Sequence, residues 1–172
     1  MTTENHQSEN TYQTAIVACG CFWGVEYWFH KLNGVIKATS GYTGGTIQNP
    51  TYRQVCSGNS GHLEAVEVVF DPAIISFEEI LKFFYEIHDF SQSDGQGADR
   101  GSQYLSAIFF DNQQELATAQ KLKSELEELG HRVATLFLPA TIFYPAEEYH
   151  QNYYTKSGGS PYCHFKKKIW NY

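Results

Sequence analysis

The chain has 172 residues, 42% of them apolar, 16% aromatic and only 18% charged. That length predicts one domain with a core large enough to fold without disulfide staples, and that composition excludes a disordered chain or a coiled coil. Lysine and arginine total 12 against 19 acidic residues, a net charge of −7, so neither nucleic acid nor an anionic membrane is an expected partner.

Residues 1 to about 11 are polar and lack an apolar core segment, which predicts a mobile tail rather than a signal peptide or a membrane span. A reducing, cytoplasmic setting with free thiols follows as the default. Thr14–Ala18 reads as a buried strand that breaks at Gly20. Phe22–Leu32 reads as an amphipathic helix ended by Gly34, and Val35–Tyr42 as a second strand. Residues 43–62 form a long loop, and Leu63–Phe70 a third strand. Ser76 and Glu79 form a capping box for a helix running to about His88. A second polar, Gly-rich loop covers 89–103, then Tyr104–Phe110 is a fourth strand. Asn112 caps a helix that ends at Gly130, with Glu115 in the reciprocal position. Val133–Leu138 and Thr141–Tyr144 are further strands, Ala146–Tyr154 a short helix, and 157–172 an irregular tail. The order β-α-β-β-α-β predicts an α+β fold. Its core is the ferredoxin-like split βαβ arrangement, with a mixed sheet, helices on it and a long irregular C-terminal stretch. No linker divides the chain, so 1–172 is read as a single domain.

Four cysteines remain to be explained: Cys19, Cys21, Cys56 and Cys163. There is no CxxC pair, no zinc-like spacing with histidine and no dense disulfide framework. Cys21 sits in Gly20-Cys21-Phe22-Trp23-Gly24 at a strand-to-helix turn. The free N–H groups of a helix start favour thiolate, the nucleophilic form. The flanking glycines allow close approach, and Phe22 and Trp23 offer an apolar wall. Polar candidates come from the loops and their exits: Tyr52, Glu64, Asp99 and Tyr104. A carboxyl beside an apolar wall favours its neutral form and can donate a proton; phenols donate without carrying charge. Cys163 follows Gly158-Gly159-Ser160-Pro161-Tyr162. A thiol on such a segment suits a resolving role after oxidation, with Cys56 as a competing resolver. Cys19 is read as buried in the first strand. His62, His88 and His150 are weaker candidates for a dyad with Cys21. Glu147-Glu148-Tyr149-His150 reads as a solvated helical face.

These segments together resemble a known family, the A-type peptide methionine sulfoxide reductases. The resemblance rests on Gly20–Gly24 and continues through Gly41-Tyr42-Thr43-Gly44-Gly45, Asn49-Pro50-Thr51-Tyr52, Val55-Cys56-Ser57-Gly58, Gly61-His62-Leu63-Glu64 and Gly101-Ser102-Gln103-Tyr104. Tyr149-His150-Gln151 and Tyr162-Cys163 extend it, in the family order, over roughly residues 14 to 163. It implies reduction of the S epimer of methionine sulfoxide, free or in proteins, without a cofactor. It implies Cys21 as nucleophile, Glu64 as proton donor and Cys163 as resolver, with thioredoxin as electron donor. It further implies Phe22 and Trp23 around the substrate methyl group, and Tyr52, Asp99 and Tyr104 around the sulfoxide oxygen. A monomer is expected.

The chain departs from the family pattern in four places. Phe90 stands where proline is common, Gly95 where arginine is common, and Leu63 where a smaller residue is common. Only one cysteine, Cys163, lies in the C-terminal stretch, so one disulfide exchange is implied rather than a relay of two. The rival reading is a thiol peroxidase or another thiol–disulfide oxidoreductase using Cys21.

Overall fold

The computed structural model describes residues 11–172. The expected mobile tail, apart from Thr11, lies outside the described residues. Six strands form one mixed sheet: β1 (Gln13–Cys19), β2 (Val35–Thr43), β3 (Leu63–Phe70), β6 (Ser106–Phe110), β7 (Leu136–Pro139) and β8 (Tyr144–Pro145). Their order is β7-β6-β1-β3-β2-β8. The inner four are mutually antiparallel in the order expected of the split βαβ core. The parallel β6–β7 pair makes the sheet mixed, and β8 adds an antiparallel edge on β2. A separate two-stranded hairpin, β4 (Gly95–Gln96) with β5 (Asp99–Arg100), occupies the second loop.

Strand alternation divides the core. From β1 and β3, Ala15, Val17, Val66, Val68 and Phe70 join the larger cluster, with Phe29 of α1 (Phe22–His30), Phe84 of α3 (Phe77–Glu86) and Leu122 of α4 (Gln113–Glu128). Ala18, Leu63, Ala65, Ala107 and Phe109 form a smaller cluster, against which Leu138 and Phe143 pack. Glu64 and Tyr42 are direct cross-strand partners in β3 and β2. They stand in register with Val66 and Val68, so both point to the helix-covered face. The capping box of Ser76 with Glu79 is present. Asn112 accepts from the Glu115 N–H, but Glu115 reaches back to the N–H of Asp111 rather than that of the cap.

Several expected boundaries move. The first long loop contains a short helix, α2 (Tyr52–Cys56), opened by Thr51 and Gln54 in a capping box. The fourth strand starts at Ser106, because Ser102–Tyr104 forms a 3-10 turn. Residues 133–135 stay outside β7, and β8 begins only at Tyr144. The helix expected over Ala146–Tyr154 is a 3-10 turn at Glu148–His150 followed by α5 (Tyr153–Ser157). Asn152, in the left-handed region at φ 54°, breaks it in two. Beyond Ser157 there is no helix or strand, yet this stretch is docked: His164 is 2% exposed.

Gly95 has φ 148°, and a Cβ there would meet the Asp99 carbonyl oxygen at 2.1 Å. The hairpin thus explains why no arginine stands at 95. Phe90 is buried edge-on against Tyr85 and His131. No helix among the described residues is long and apolar enough to cross a membrane.

Candidate active site

Cys21 occupies the N-cap of α1, between the end of the central strand β1 and the first helical turn. Gly20 makes that corner: its φ is 96°, and a Cβ would lie 2.5 Å from the Gln96 Cβ. The Trp23 and Gly24 N–H groups act on the Cys21 thiol and favour its ionised form, as a helix start should. Burial and the Glu64 charge outweigh them, so the thiol is held well above its ordinary pKa. The expected net depression is therefore corrected: the helix contribution is present and is overcome.

Glu64 projects from the start of strand β3 to the first turn of α1. It is 1% exposed, and its Oε1 accepts from the Phe22 N–H at 3.3 Å. Its Oε2 is buried with no protein partner. Burial pushes its pKa up to about 8, with the Asp99 charge adding and the Phe22 N–H opposing. At neutral pH this carboxyl carries its proton.

Phe22 is fully buried, with its ring 5.7 Å from Tyr42 and 5.2 Å from His150. Trp23 is partly buried and stacks on Tyr153 at 3.8 Å, and its Nε1 donates to His150 Nδ1 at 3.0 Å. The Tyr52 ring lies 4.3 Å from His150. Tyr52 and Tyr104 are both half-buried, and burial raises both phenols, with the hydrogen bond to Cys56 next for Tyr52 and the Glu64 charge adding at each. Asp99 accepts from the Tyr162 hydroxyl at 3.0 and 3.2 Å, and the Cys163 thiol lies 3.7 Å from its Oδ2. Phe22, Trp23 and Tyr52 thus meet at His150, Glu64 bonds the first turn of α1, the charges of Glu64 and Asp99 act on Cys21 and Tyr104, and Cys163 is held on Asp99.

The remaining cysteines separate cleanly. Cys19 is fully buried, as expected. Cys56 is exposed at the end of α2 and hydrogen-bonded to Tyr52, one helical turn before it. All four are free thiols. Among the described residues, no three side chains of His, Cys, Asp or Glu gather where they could hold a metal ion.

Two groups central to this arrangement are not legible as such in the sequence. Glu147 is no solvated helical residue. Its Oε1 accepts from the Tyr42 hydroxyl at 2.9 Å, and its Oε2 from the Tyr52 N–H at 3.2 Å and the Tyr149 hydroxyl at 2.9 Å. His150 is buried at the centre of an aromatic cage formed by Phe22, Trp23, Tyr52 and Tyr149. Neither signal is local: both residues come from beyond β8 and meet partners about 100 positions earlier. His62 and His88 are engaged elsewhere, with Gly45 and Ile47 and with Phe84 and Ser106.

A family model described as peptide methionine sulfoxide reductase matches residues 13–171. A Pasteurella multocida protein named peptide methionine sulfoxide reductase MsrA is 47% identical over 152 residues, covering 88% of this chain and 87% of its own. Mxr1 from Saccharomyces cerevisiae in reduced form superposes with a TM-score of 0.85 at 33% identity, over 91% of this chain and 93% of its own. The same yeast protein in complex with Trx2 shares the fold, with a TM-score of 0.63 at 22% identity over 98% and 99% of the two chains. A match running from β1 to the penultimate residue, around a cysteine at a helix start and a buried carboxyl beside it, makes this chain a member of the peptide methionine sulfoxide reductase family.

Proposed function

We propose that the protein reduces the S epimer of methionine sulfoxide, free or in oxidised proteins, back to methionine. The observation that carries this reading is the Glu64 carboxyl, protonated to about pH 8, with one buried oxygen unpartnered beside Cys21. A sulfoxide sulfur becomes attackable only when its oxygen is protonated or strongly hydrogen-bonded. Glu64 supplies that proton, and the neutral hydroxyls of Tyr52 and Tyr104 donate to the same oxygen. The substrate methyl group rests against Trp23 over the buried Phe22. Asp99 acts at the same oxygen through its position beside Tyr104 and Cys21.

In the first step the Cys21 sulfur attacks the substrate sulfur and takes its oxygen. The thioether leaves, Cys21 becomes sulfenic acid, and the thiol proton restores Glu64. In the second step the Cys163 thiol attacks the Cys21 sulfur, releasing water and forming a disulfide. A thioredoxin dithiol then exchanges with that disulfide and is itself oxidised. The Trx2 complex of the yeast relative supports thioredoxin as this partner. A monomer in the cytoplasm, where thiols are kept reduced, suits a cycle that must regain both thiols at each turnover.

Assays with the two enantiomers of methyl p-tolyl sulfoxide, alongside hydrogen peroxide, test the reading. Reduction confined to the S sulfoxide is expected. Peroxide consumption without sulfoxide reduction overturns it in favour of a thiol peroxidase. Cys163→Ala should still form about one methionine per enzyme and lose thioredoxin-driven turnover.

A further inference from the structure

The segment after Cys163 is irregular in backbone but fixed in place. His164 Nε2 donates to the Cys19 carbonyl at 2.6 Å, and Trp28 Nε1 donates to the His164 carbonyl at 3.2 Å. The imidazole fills the space left by Gly24 and reaches ordinary contact distance of Gly20. A Cβ on Gly24 would lie 2.2 Å from His164 Nδ1, and one on Gly20 would lie 3.5 Å from Nε2. Further along, buried Glu86 accepts from the N–H groups of Ile169 and Trp170, at 2.6 and 3.3 Å. Cys163 itself is held more weakly, half-buried against Asp99 and Gly97.

We infer that His164 is a positioning residue for the disulfide-forming step. It pins the chain one residue beyond Cys163 to the end of β1, two residues before Cys21. Consecutive Cα atoms are about 3.8 Å apart, and a disulfide needs Cα atoms within about 7 Å. A pin this close to both cysteines keeps Cys163 within short reach of Cys21 while Cys163 gives up Asp99 and turns inward. Without it, the nearest firm backbone anchor on that side is the Lys167 N–H on the Glu86 carbonyl at 2.7 Å, four residues beyond Cys163 in sequence. Effective concentration falls roughly as the −3/2 power of tether length, so this lengthening costs about 8-fold in the encounter of the two sulfurs. The Trp28 bond to the His164 backbone offsets part of that loss. The neutral imidazole suits the place, since burial holds His164 below its ordinary pKa.

The inference rests on Cys163 being the resolver, and the test separates the two claims. Reduced enzyme is mixed with one equivalent of methionine sulfoxide without reductant. Methionine release and the Cys21–Cys163 disulfide are then timed by quenching, alkylation and peptide mapping. For His164→Ala we expect a burst of about one methionine per enzyme, disulfide formation slowed about 5- to 10-fold, and a trappable sulfenic acid on Cys21. His164→Gln, whose amide can still donate to the Cys19 carbonyl, should restore most of the rate. Trp28→Phe, which removes the indole N–H and keeps an aromatic ring, should slow the same step by a smaller factor and keeps the test open if His164→Ala does not fold. Wild-type rates of disulfide formation in His164→Ala, or equal slowing of both steps, overturn the inference. A wild-type enzyme that forms no Cys21–Cys163 disulfide overturns the resolver assignment itself, before any variant is considered.

Discussion

Two carboxylates flank the aromatic centre of this protein, and the protein treats them in opposite ways. Glu147 receives three donors, from the Tyr42 and Tyr149 hydroxyls and the Tyr52 N–H. Its own and these hydrogen bonds overcome partial burial and hold its pKa below the usual carboxylate range. Glu64 receives one donor, leaves a buried oxygen unpartnered and is pushed up to about 8. The number of donors, set against burial, decides which carboxyl is a fixed charge and which is a loaded acid. The saturated carboxylate orders the aromatic residues, and the starved one is available to a substrate oxygen.

Removing the loaded acid is expected to have the largest effect. Glu64→Gln keeps an acceptor for the Phe22 N–H and loses only the transferable proton. Single-turnover methionine formation should slow by about 10²–10⁴-fold, with folding intact by circular dichroism. A rate within a few fold of wild type would show that Glu64 is not the donor. Glu147→Ala should act on order rather than on chemistry. It strands a buried tyrosine hydroxyl and a backbone N–H, for a loss of about 1–3 kcal/mol in denaturant unfolding. Its rate loss should be smaller than that of Glu64→Gln. The reverse ranking would dissolve the distinction between the two groups.

The pH dependence of stability sharpens the same contrast with a smaller effect. Glu64 has a folded pKa above its unfolded value, so the fold binds its proton more tightly. The stability it contributes is present below about pH 4.5 and is lost as pH rises toward about 8. Glu147 has a depressed value, so its contribution is present above about pH 4.5 and is lost as pH falls through its folded value. The melting temperature of Glu64→Gln relative to wild type should therefore climb from about pH 5 to pH 8 and level off above. A flat difference would mean that Glu64 is not held protonated.

The sequence carried the four core strands, the helices over 22–32 and 76–88, and the nucleophile candidate, because each has a local signal: period-two burial, a capping box, or a cysteine between glycines at a strand end. Glu64 was legible as a carboxyl at a strand start, though its burial was not. Helix α2 is masked in the sequence despite the Thr51–Gln54 spacing, since Asn49-Pro50 and the glycines at 58 and 61 favour a loop reading. Glu147 reads as solvated in sequence because its three donors include Tyr42, 105 positions away. His164 carries no local signal for the same reason: its partner carbonyl lies 145 positions back, and the Cβ-free surface of Gly24 makes room for it. A hydrogen bond across such a separation leaves no periodicity to read.

Departures from the family pattern follow from the same packing. Gly95 belongs to a hairpin that admits no side chain there, and Phe90 fills a pocket between Tyr85 and His131. Both leave the network around Cys21 in place.

The account stands most directly on the fate of Cys21. Reduced protein treated with one equivalent of the S epimer of methionine sulfoxide, without reductant, can be alkylated and mapped by mass spectrometry. The account predicts one methionine per enzyme and a Cys21–Cys163 disulfide, with Cys19 and Cys56 alkylated as free thiols. A Cys21 that stays a free thiol while methionine is released, or one joined to Cys56, would contradict it.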